Sequence, residues 1–309
     1  TALEGWKKKL FFKSVNIAEK STLGKPTSIL NQMQLKIANK LVFSKWREAL
    51  GGNIKAIICG SAPLQPRLAT VFTNAGIPIL EGYGLTECSP VISVVPFRKQ
   101  EFRAGCVGKL LPSVHVKLAE DGEILVKAPN VMLGYYKNEA ETAKVFDAER
   151  WLLTGDIGEF TKEGYLKITD RKKELFKTSG GKYVAPSPIE NKLKESFLIE
   201  QIALQGDGEK YISALIIPNF ENLKEWAQNQ AISFLSNDDL LENQHIKQLY
   251  KDIITEFNVN FGKVEQIKQF ELLADEWTVE NGLLTATMKL KRKKLKEKYA
   301  HIIKSFYHK

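Results

Sequence analysis

Cysteine is scarce in this chain of 309 residues: Cys59, Cys88 and Cys106 are widely separated and odd in number. There is no CxxC pair and no Cys/His cluster, which argues against a metal site, and a disulfide scaffold does not suit a chain of this size. Three free thiols in a reducing, cytoplasmic compartment fit best. Long apolar runs are missing as well, and none approaches the roughly 18 residues of a membrane span. The start, Thr1 to Lys9, is polar and basic with no long apolar region behind it, which predicts no secretory signal. Because the first residue is not Met, a fragment or a processed chain is expected. Internal repeats and low-complexity linkers are absent too.

What is present is ordinary globular material. Hydrophobic residues make up 43% and charged residues 26%, so a packed core is expected. At roughly 100–200 residues per domain, the length suits two domains, or one with an appendage. The net charge of +9 is unevenly placed: Met288 to Lys309 holds nine Lys/Arg and one acid, Glu297. The body is near neutral and the tail basic. A tail of that kind suits nucleic acid, an anionic membrane or a phosphate-bearing substrate. A solvated terminal helix is the simpler account of the charge alone.

Along the chain, Leu30, Met33, Ile37, Leu41 and Val42 recur at helical spacing and predict one amphipathic helix over 30–50, stopped by Gly51-Gly52. A short buried strand over 54–58 follows. Gly60-Ser61-Ala62-Pro63 breaks it, and Pro66 opens a helix that runs to Ala75. A second short strand spans 77–80. Such a strand–helix–strand unit predicts a parallel pair. Ligands bind beyond the carboxyl ends of parallel strands. Two loops sit there: Gly60-Ser61-Ala62 and Glu81-Gly82-Tyr83-Gly84. Between 107 and 170 short strands alternate with turns at Asp121-Gly122 and Glu163-Gly164, which predicts a small antiparallel barrel or sheet. From Asp170 onward a helix near 188–195, a hairpin about Asp207-Gly208, two helices between 223 and 257, a strand near 267–272 and a basic terminal helix predict a separate α+β domain.

The segment Glu81-Gly82-Tyr83-Gly84-Leu85-Thr86-Glu87 carries the most chemistry. Glycines let a backbone approach a ligand closely. Tyr83 offers a flat face to a purine, Thr86 a hydroxyl to a phosphate, and Glu87 a carboxylate to a hard cation such as Mg2+. A glycine-rich turn over a core tyrosine explains the segment equally well on its own.

Together with other pieces, this segment resembles the YGxTE motif of adenylate-forming enzymes, which include acyl-CoA synthetases, adenylation domains of peptide synthetases and luciferases. Gly60-Ser61-Ala62-Pro63-Leu64 is similar to the upstream motif beside the adenine, and Thr154-Gly155-Asp156 to the TGD motif. Asp170-Arg171-Lys172-Lys173-Glu174-Leu175-Phe176-Lys177 resembles the stretch that opens the small domain. Ser179-Gly180-Gly181-Lys182-Tyr183-Val184 resembles the loop after it, and Leu284 to Arg292 the terminal lysine motif. The order from Gly60 to Arg292 is that of the family. The stretches SGGKYVAPSPIE and NGLLTATMKLKR look like the long-chain fatty acyl branch.

The resemblance implies a fold of mixed class, α/β and α+β. Residues 1–169 would be the C-terminal portion of the large adenylation domain, a parallel βαβ segment with a small β-barrel. Residues 170–309 would be a small, mobile α+β domain. It implies that ATP or AMP is bound by Gly60, Ser61, Ala62, Glu81, Gly82, Tyr83, Gly84, Leu85, Thr86, Asp156, Ile168 and Arg171. Glu87 would hold Mg2+ and, with Thr86 and Lys289, serve catalysis, with Lys291 the alternative register for the lysine. Asp170 would be a hinge. Lys173, Lys177, Ser179, Gly180, Gly181 and Lys182 would line the path of the acceptor thiol, CoA. Met288 departs from the general pattern, in which Gly precedes the lysine. The implied reaction joins a long-chain fatty acid to CoA through an acyl-adenylate. No protein nucleophile is needed, because the substrate's own carboxylate attacks. The histidines His115, His245, His301 and His308 fall outside every motif.

The family's Ser/Thr/Gly-rich phosphate loop is not found. Ser21-Thr22-Leu23-Gly24-Lys25-Pro26 lacks the glycine run that lets backbone N–H groups cradle phosphates, and it lies only about 60 residues before Tyr83. The N-terminal half of such an enzyme is therefore expected to be absent, leaving sheet edges and apolar surface exposed and activity from this chain alone doubtful. Two other readings remain: an adenylation domain that loads a carrier protein, and a module whose basic tail binds a membrane surface or nucleic acid, peripheral contact with the inner face of a membrane included.

Overall fold

A computed structural model describes residues 5–21, 28–98 and 101–307. Most of the segment Ser21 to Pro26 therefore lies outside the described residues, as does His308. The chain divides into two compact units, Thr1–Thr169 and Asp170–Lys309.

The first unit opens with α1 (Gly5–Lys20), α2 (Ile29–Ala38), a π-helical turn over Asn39–Phe43, and α3 (Ser44–Ala49). The single helix expected over 30–50 is thus interrupted by a wider turn. Of its apolar stripe, Leu30, Met33, Ile37 and Leu41 are exposed, whereas Val42 is buried with Ala38, Phe43, Ala18 of α1, Val71 and Ala75. Helical period shows that a helix has two faces. It does not show which face this portion of chain covers.

β1 (Ile57–Cys59), α4 (Pro66–Asn74) and β2 (Ile79–Gly84) form the crossover unit. β1 and β2 are parallel, with Cys59 opposite Glu81. Asn74 ties α4 to α1 by donating to the carbonyls of Ala18 and Ser21 at 2.7 Å each, which satisfies part of the α1 C-terminus. Both strands begin later than expected, and β2 runs on through the segment expected as loop, because Gly82 and Tyr83 pair with Val94 and Ser93 of β3 (Val91–Val94). β4 (Lys109–Leu110) completes a sheet in the order β1-β2-β3-β4. β1 lies at its edge, and Ile58 on it is 77% exposed.

The second sheet of this unit holds β5 (His115–Leu118), β6 (Glu123–Lys127), β7 (Leu152–Phe160) and β8 (Leu166–Arg171) in that order, with α5 (Glu139–Lys144) between β6 and β7. The barrel expected here is an open four-stranded sheet, joined to the β4 region by a bridge between Gly108 and Leu166. Cys88, Ile92, Ile124, Val126, Leu152 and Leu166 form the core between the two sheets.

The second unit begins with the small hairpin β9 (Phe176–Lys177) and β10 (Tyr183–Val184), followed by α6 (Pro186–Leu193). β11 (Ile199–Gln205) and β12 (Ile212–Pro218) are antiparallel. α7 (Phe220–Asn229), α8 (Asn237–Glu242) and α9 (Gln244–Asn258) come next, three helices where two were expected. β13 (Ile267–Leu272) then pairs parallel to β12. The unit ends in α10 (Arg292–Lys298) and α11 (Ala300–Tyr307).

Central strand β12 is buried along its whole length because both faces of its sheet are covered. Ile202, Leu204, Ala214 and Ile216 meet α6, α7, α8 and α9 on one side. Ala203, Leu215 and Ile217 meet Trp277, Leu295, Tyr299, Ile303 and Phe306 on the other. Burying each of these large aliphatic side chains stabilises the unit by about 2 kcal/mol. The basic tail is therefore a docked element: its apolar face is core, and Lys293, Lys294, Lys296 and Lys298 are left exposed.

Candidate functional site

Pairing of β1 with β2 sets the Gly60-Ser61-Ala62 turn beside the Glu81–Gly84 segment. A Cβ on Gly60 would lie 3.6 Å from the carbonyl oxygen of Gly82. Ser61 takes a left-handed φ of 65° to leave the strand. Gly84 has no substitute, since a Cβ there would fall 1.7 Å from the Pro90 oxygen. That close approach lets Leu85 N–H donate to Pro90 O and turns the chain into one 3-10 turn over Thr86–Cys88. The turn points Cys88 into the core and leaves Thr86 exposed and Glu87 half-exposed.

Tyr83 donates its hydroxyl to Asp156 Oδ2 at 2.8 Å. Two motifs 73 residues apart are thereby joined through their side chains. The β7 backbone is shaped for this: Gly155 has φ 71°, and its N–H donates to the buried Glu123 carboxylate at 2.9 Å. Thr154 Oγ1 donates to Ile124 O and accepts from Asp156 N. Asp156 is 4% exposed. Burial, and after it the Asp156 charge, raises the Tyr83 phenol well above its ordinary pKa, so it stays a donor. Ile168 on β8 packs into the same apolar cluster as Tyr83.

Glu81 is buried, with one carboxyl oxygen accepting from Gly105 N–H and the other, Oε2, without a hydrogen-bond partner. Burial pushes its pKa up to about 7. Cys59, half-buried, and Cys106, buried, lie close enough for the Glu81 charge to add to the effect of burial in raising both thiols.

Glu87 accepts from the Tyr135 hydroxyl at 2.9 Å, a contact that sequence reasoning missed. The available signal was Gly134-Tyr135 ahead of an Asn-capped helix. Among the described residues, no group of three or more His, Cys, Asp or Glu side chains could hold a metal by itself. A lone carboxylate beside an exposed hydroxyl suits Mg2+ shared with phosphates, because that ion keeps most of its shell as water and substrate oxygens.

In the second unit Asp170 is buried and its carboxylate is heavily engaged. Oδ1 accepts from Arg171 N at 2.7 Å and Ser187 Oγ at 2.9 Å, and Oδ2 from Ser187 N at 3.0 Å. Burial raises its pKa against these bonds. Arg171 and Lys173 are exposed next to it. Ser179-Gly180-Gly181 and Lys182 form the exposed tip of the β9–β10 hairpin, closed by Gly181 N–H donating to Thr178 O. Lys177 sits over the Tyr183 ring at 5.4 Å. Lys289 lies in a turn between Leu284 and Leu290, where Thr285 N donates to Lys289 O and Lys289 N to Thr285 Oγ1. Met288, where the general pattern has Gly, takes a left-handed φ of 61°.

Residues 14–136 match the family model of the AMP-binding enzyme, and residues 174–309 that of the AMP-binding enzyme C-terminal domain. A long-chain-fatty-acid–CoA ligase of Mycobacterium bovis is 37% identical over 297 residues, covering 96% of this chain and 49% of its own length. Long-chain-fatty-acid–CoA ligase 6 of Rattus norvegicus is 36% identical over 286 residues, covering 88% of this chain and 41% of its own. The chain thus spans about half the length of the curated relatives it matches. Among solved structures, the adenylation domain of a carboxylate reductase from Mycobacterium chelonae matches with a TM-score of 0.70 at 26% identity, over 98% of this chain and 45% of that one. An A-PCP didomain of carboxylic acid reductase from Segniliparus rugosus, in complex with AMP, matches with a TM-score of 0.68 at 26% identity, over 88% and 37%. No helix of the described residues is long and apolar enough to cross a membrane.

Proposed function

This chain belongs to the AMP-binding family of adenylate-forming enzymes, and from that membership we propose that it is the C-terminal half of an acyl-CoA synthetase acting on long-chain fatty acids. The observation that carries the reading is the Tyr83–Asp156 hydrogen bond, which joins the YGLTE segment to the TGD segment in one site. The long-chain ligase name borne by relatives 36–37% identical to this chain supports the substrate class.

The proposed reaction has two steps. A fatty-acid carboxylate oxygen attacks the α-phosphorus of ATP, and pyrophosphate leaves. The sulfur of CoA then attacks the acyl carbon of the adenylate, AMP leaves, and the thiol proton is released. Neither step needs a protein nucleophile, so the residues act by position and charge. Asp156 accepts from the ribose hydroxyls. The Tyr83 bond orders its carboxylate, and the Tyr83 ring gives the adenine a flat neighbour. Gly60, Ser61, Ala62 and the 81–85 segment form the adenine wall. Thr86 donates to a phosphate oxygen, and Glu87 is the ligand this chain offers to magnesium. Bound magnesium supplies positive charge that stabilises the departing pyrophosphate. Lys289 serves adenylation, while Ser179, Gly180, Gly181, Lys173, Lys177 and Lys182 serve the CoA step. Asp170 is the hinge and Arg171 a further nucleotide contact.

Exposed Ile58, the open edge of β1 and the outward stripe on α2 support the view that the N-terminal half of the enzyme completes the first unit. The test uses the full-length enzyme. Palmitate should drive exchange of pyrophosphate into ATP, and CoA should accept the acyl group. Transfer to a carrier protein instead of CoA would favour the carrier-loading reading, and no exchange with any fatty acid would defeat the proposal.

A further inference from the structure

We propose that Tyr135 is a positioning residue for the Glu87 carboxylate, fixing it as a one-oxygen ligand for the divalent cation that accompanies ATP. This rests on the reading of Glu87 as the cation ligand.

Glu87 sits on a 3-10 turn of three residues, too short to hold a side chain by packing along its own element. It is half-exposed, and a glutamate in that setting samples several rotamers. One hydroxyl limits it: Tyr135 Oη donates to Oε1 at 2.9 Å. Among the described residues no other donor reaches this carboxylate, so Oε2 keeps its lone pairs.

The phenol can do this because its backbone is held at both ends. Behind it, Tyr135 N–H donates to Thr142 Oγ1 at 2.9 Å, and Thr142 Oγ1 donates to Asn138 O at 2.8 Å. Asn138 is the N-cap of α5. Gly134 makes the approach to Thr142 feasible, since a Cβ there would meet Thr142 Cγ2 at 2.7 Å. Ahead of it, the same segment is stitched to the Glu87 turn itself. Met132 N–H donates to Glu87 O at 2.7 Å, and the Asn130 amide donates to Cys88 O and Val91 O. The turn and the Tyr135 segment therefore form one hydrogen-bonded block. Within it the hydroxyl reaches the carboxylate from a fixed base.

A carboxylate that ligates a metal through one oxygen is ordered by a donor on the other, and loss of such a donor weakens metal binding by roughly 10–100-fold. Because this contact is open to water, the lower end applies. In the full-length enzyme, Tyr135→Phe should raise the apparent Kd for Mn2+, measured with ATP present by the electron-paramagnetic signal of free Mn2+, by about tenfold. The apparent KM for Mg2+ in pyrophosphate exchange should rise in parallel, and the lost rate should return at saturating metal. The thermal melt should be unchanged, since the deleted hydroxyl faces solvent. Glu87→Gln, run beside it, separates two failures. If Glu87→Gln loses Mn2+ while Tyr135→Phe binds it as the wild type does, Tyr135 has no positioning role and the reading of Glu87 stands. If Glu87→Gln itself binds Mn2+ with ATP normally, the reading of Glu87 falls and the proposal with it.

Discussion

Arg292 meets Glu190 through two hydrogen bonds of 2.8 Å each, Nη1 to Oε1 and Nη2 to Oε2. Glu190 Oε1 also accepts from Leu204 N–H at 2.8 Å, so one carboxylate ties the end of the terminal motif, helix α6 and strand β11 together. Glu174 adds a second carboxylate at 3.4 Å from Arg292 Nε. Burial works against the guanidinium charge, and the Glu190 and Glu174 carboxylates outweigh it. Removing Arg292 leaves the buried Glu190 carboxylate without its charge partner, which costs about 3 kcal/mol, while removing Glu190 leaves Arg292 only the longer Glu174 contact. Arg292→Ala and Glu190→Gln should each lower the melting temperature clearly, and the double variant should lose less than the sum. Arg292→Lys should not restore the loss, because a point charge cannot make the forked contact. Melting curves of the four variants decide it.

Glu81 gives a pH dependence whose sign can be fixed in advance. Its folded pKa of about 7 stands above the ordinary 4.5. Between these values the folded state holds a proton that the unfolded chain has released. Stability therefore falls as pH rises from 4.5 through 7 and then levels off. The group's share of that loss is about 3 kcal/mol. Glu81→Gln, which cannot titrate, should melt with a flatter pH profile than the wild type, and the gap between the two curves should move in the variant's favour on passing from pH 5 to pH 8. Parallel curves would mean that the carboxyl is solvated.

The joined Tyr83–Asp156 pair predicts unequal losses in ATP use. Asp156→Ala in the full-length enzyme removes a charged acceptor, so the apparent KM for ATP should rise by roughly 10–100-fold. Tyr83→Phe removes only the bond that orders that acceptor and should raise it by a few-fold. If only the fatty-acid KM moved in either variant, the residues would belong to another pocket.

The sequence made some of this legible and hid the rest for identifiable reasons. The parallel strands on either side of α4, the Asp121-Gly122 turn and the hairpin about Asp207-Gly208 follow from local pattern, because period and turn chemistry are local properties. Tyr83 and Asp156 could each be singled out, but the bond between them depends on a register between strands that no spacing encodes. Tyr135 was missed since Gly134-Tyr135 ahead of an Asn cap signals a held backbone and does not name the partner of the hydroxyl across the turn. The stripe Leu30, Met33, Ile37, Leu41 marked a helix without its surroundings, because period reports an apolar face and says nothing of what covers it.

Lys289 and Lys291 are separated by structure as well as by register. Lys289 follows Met288, whose left-handed φ of 61° closes the turn that Thr285 fastens from both sides. Lys291 is the N-cap of α10, and its N–H donates to Leu283 O. A residue presented by a tight turn can carry its ammonium to a phosphate on a flexible stem, whereas one at a helix start shares the N-terminal end, where positive charge is disfavoured. Lys289→Ala in the full-length enzyme should therefore cripple formation of the acyl-adenylate and largely spare conversion of supplied acyl-adenylate to acyl-CoA. Lys291→Ala should spare both. Met288→Gly, which removes a left-handed penalty of about 1 kcal/mol, should keep adenylation and not lower the melting temperature. Single-turnover assays of each half-reaction, with melting curves as the folding control, read all three. Loss of adenylation in Lys291→Ala with retention in Lys289→Ala would move the assignment by two residues, and equal loss of both half-reactions in folded Lys289→Ala would end the idea that this lysine serves one step alone.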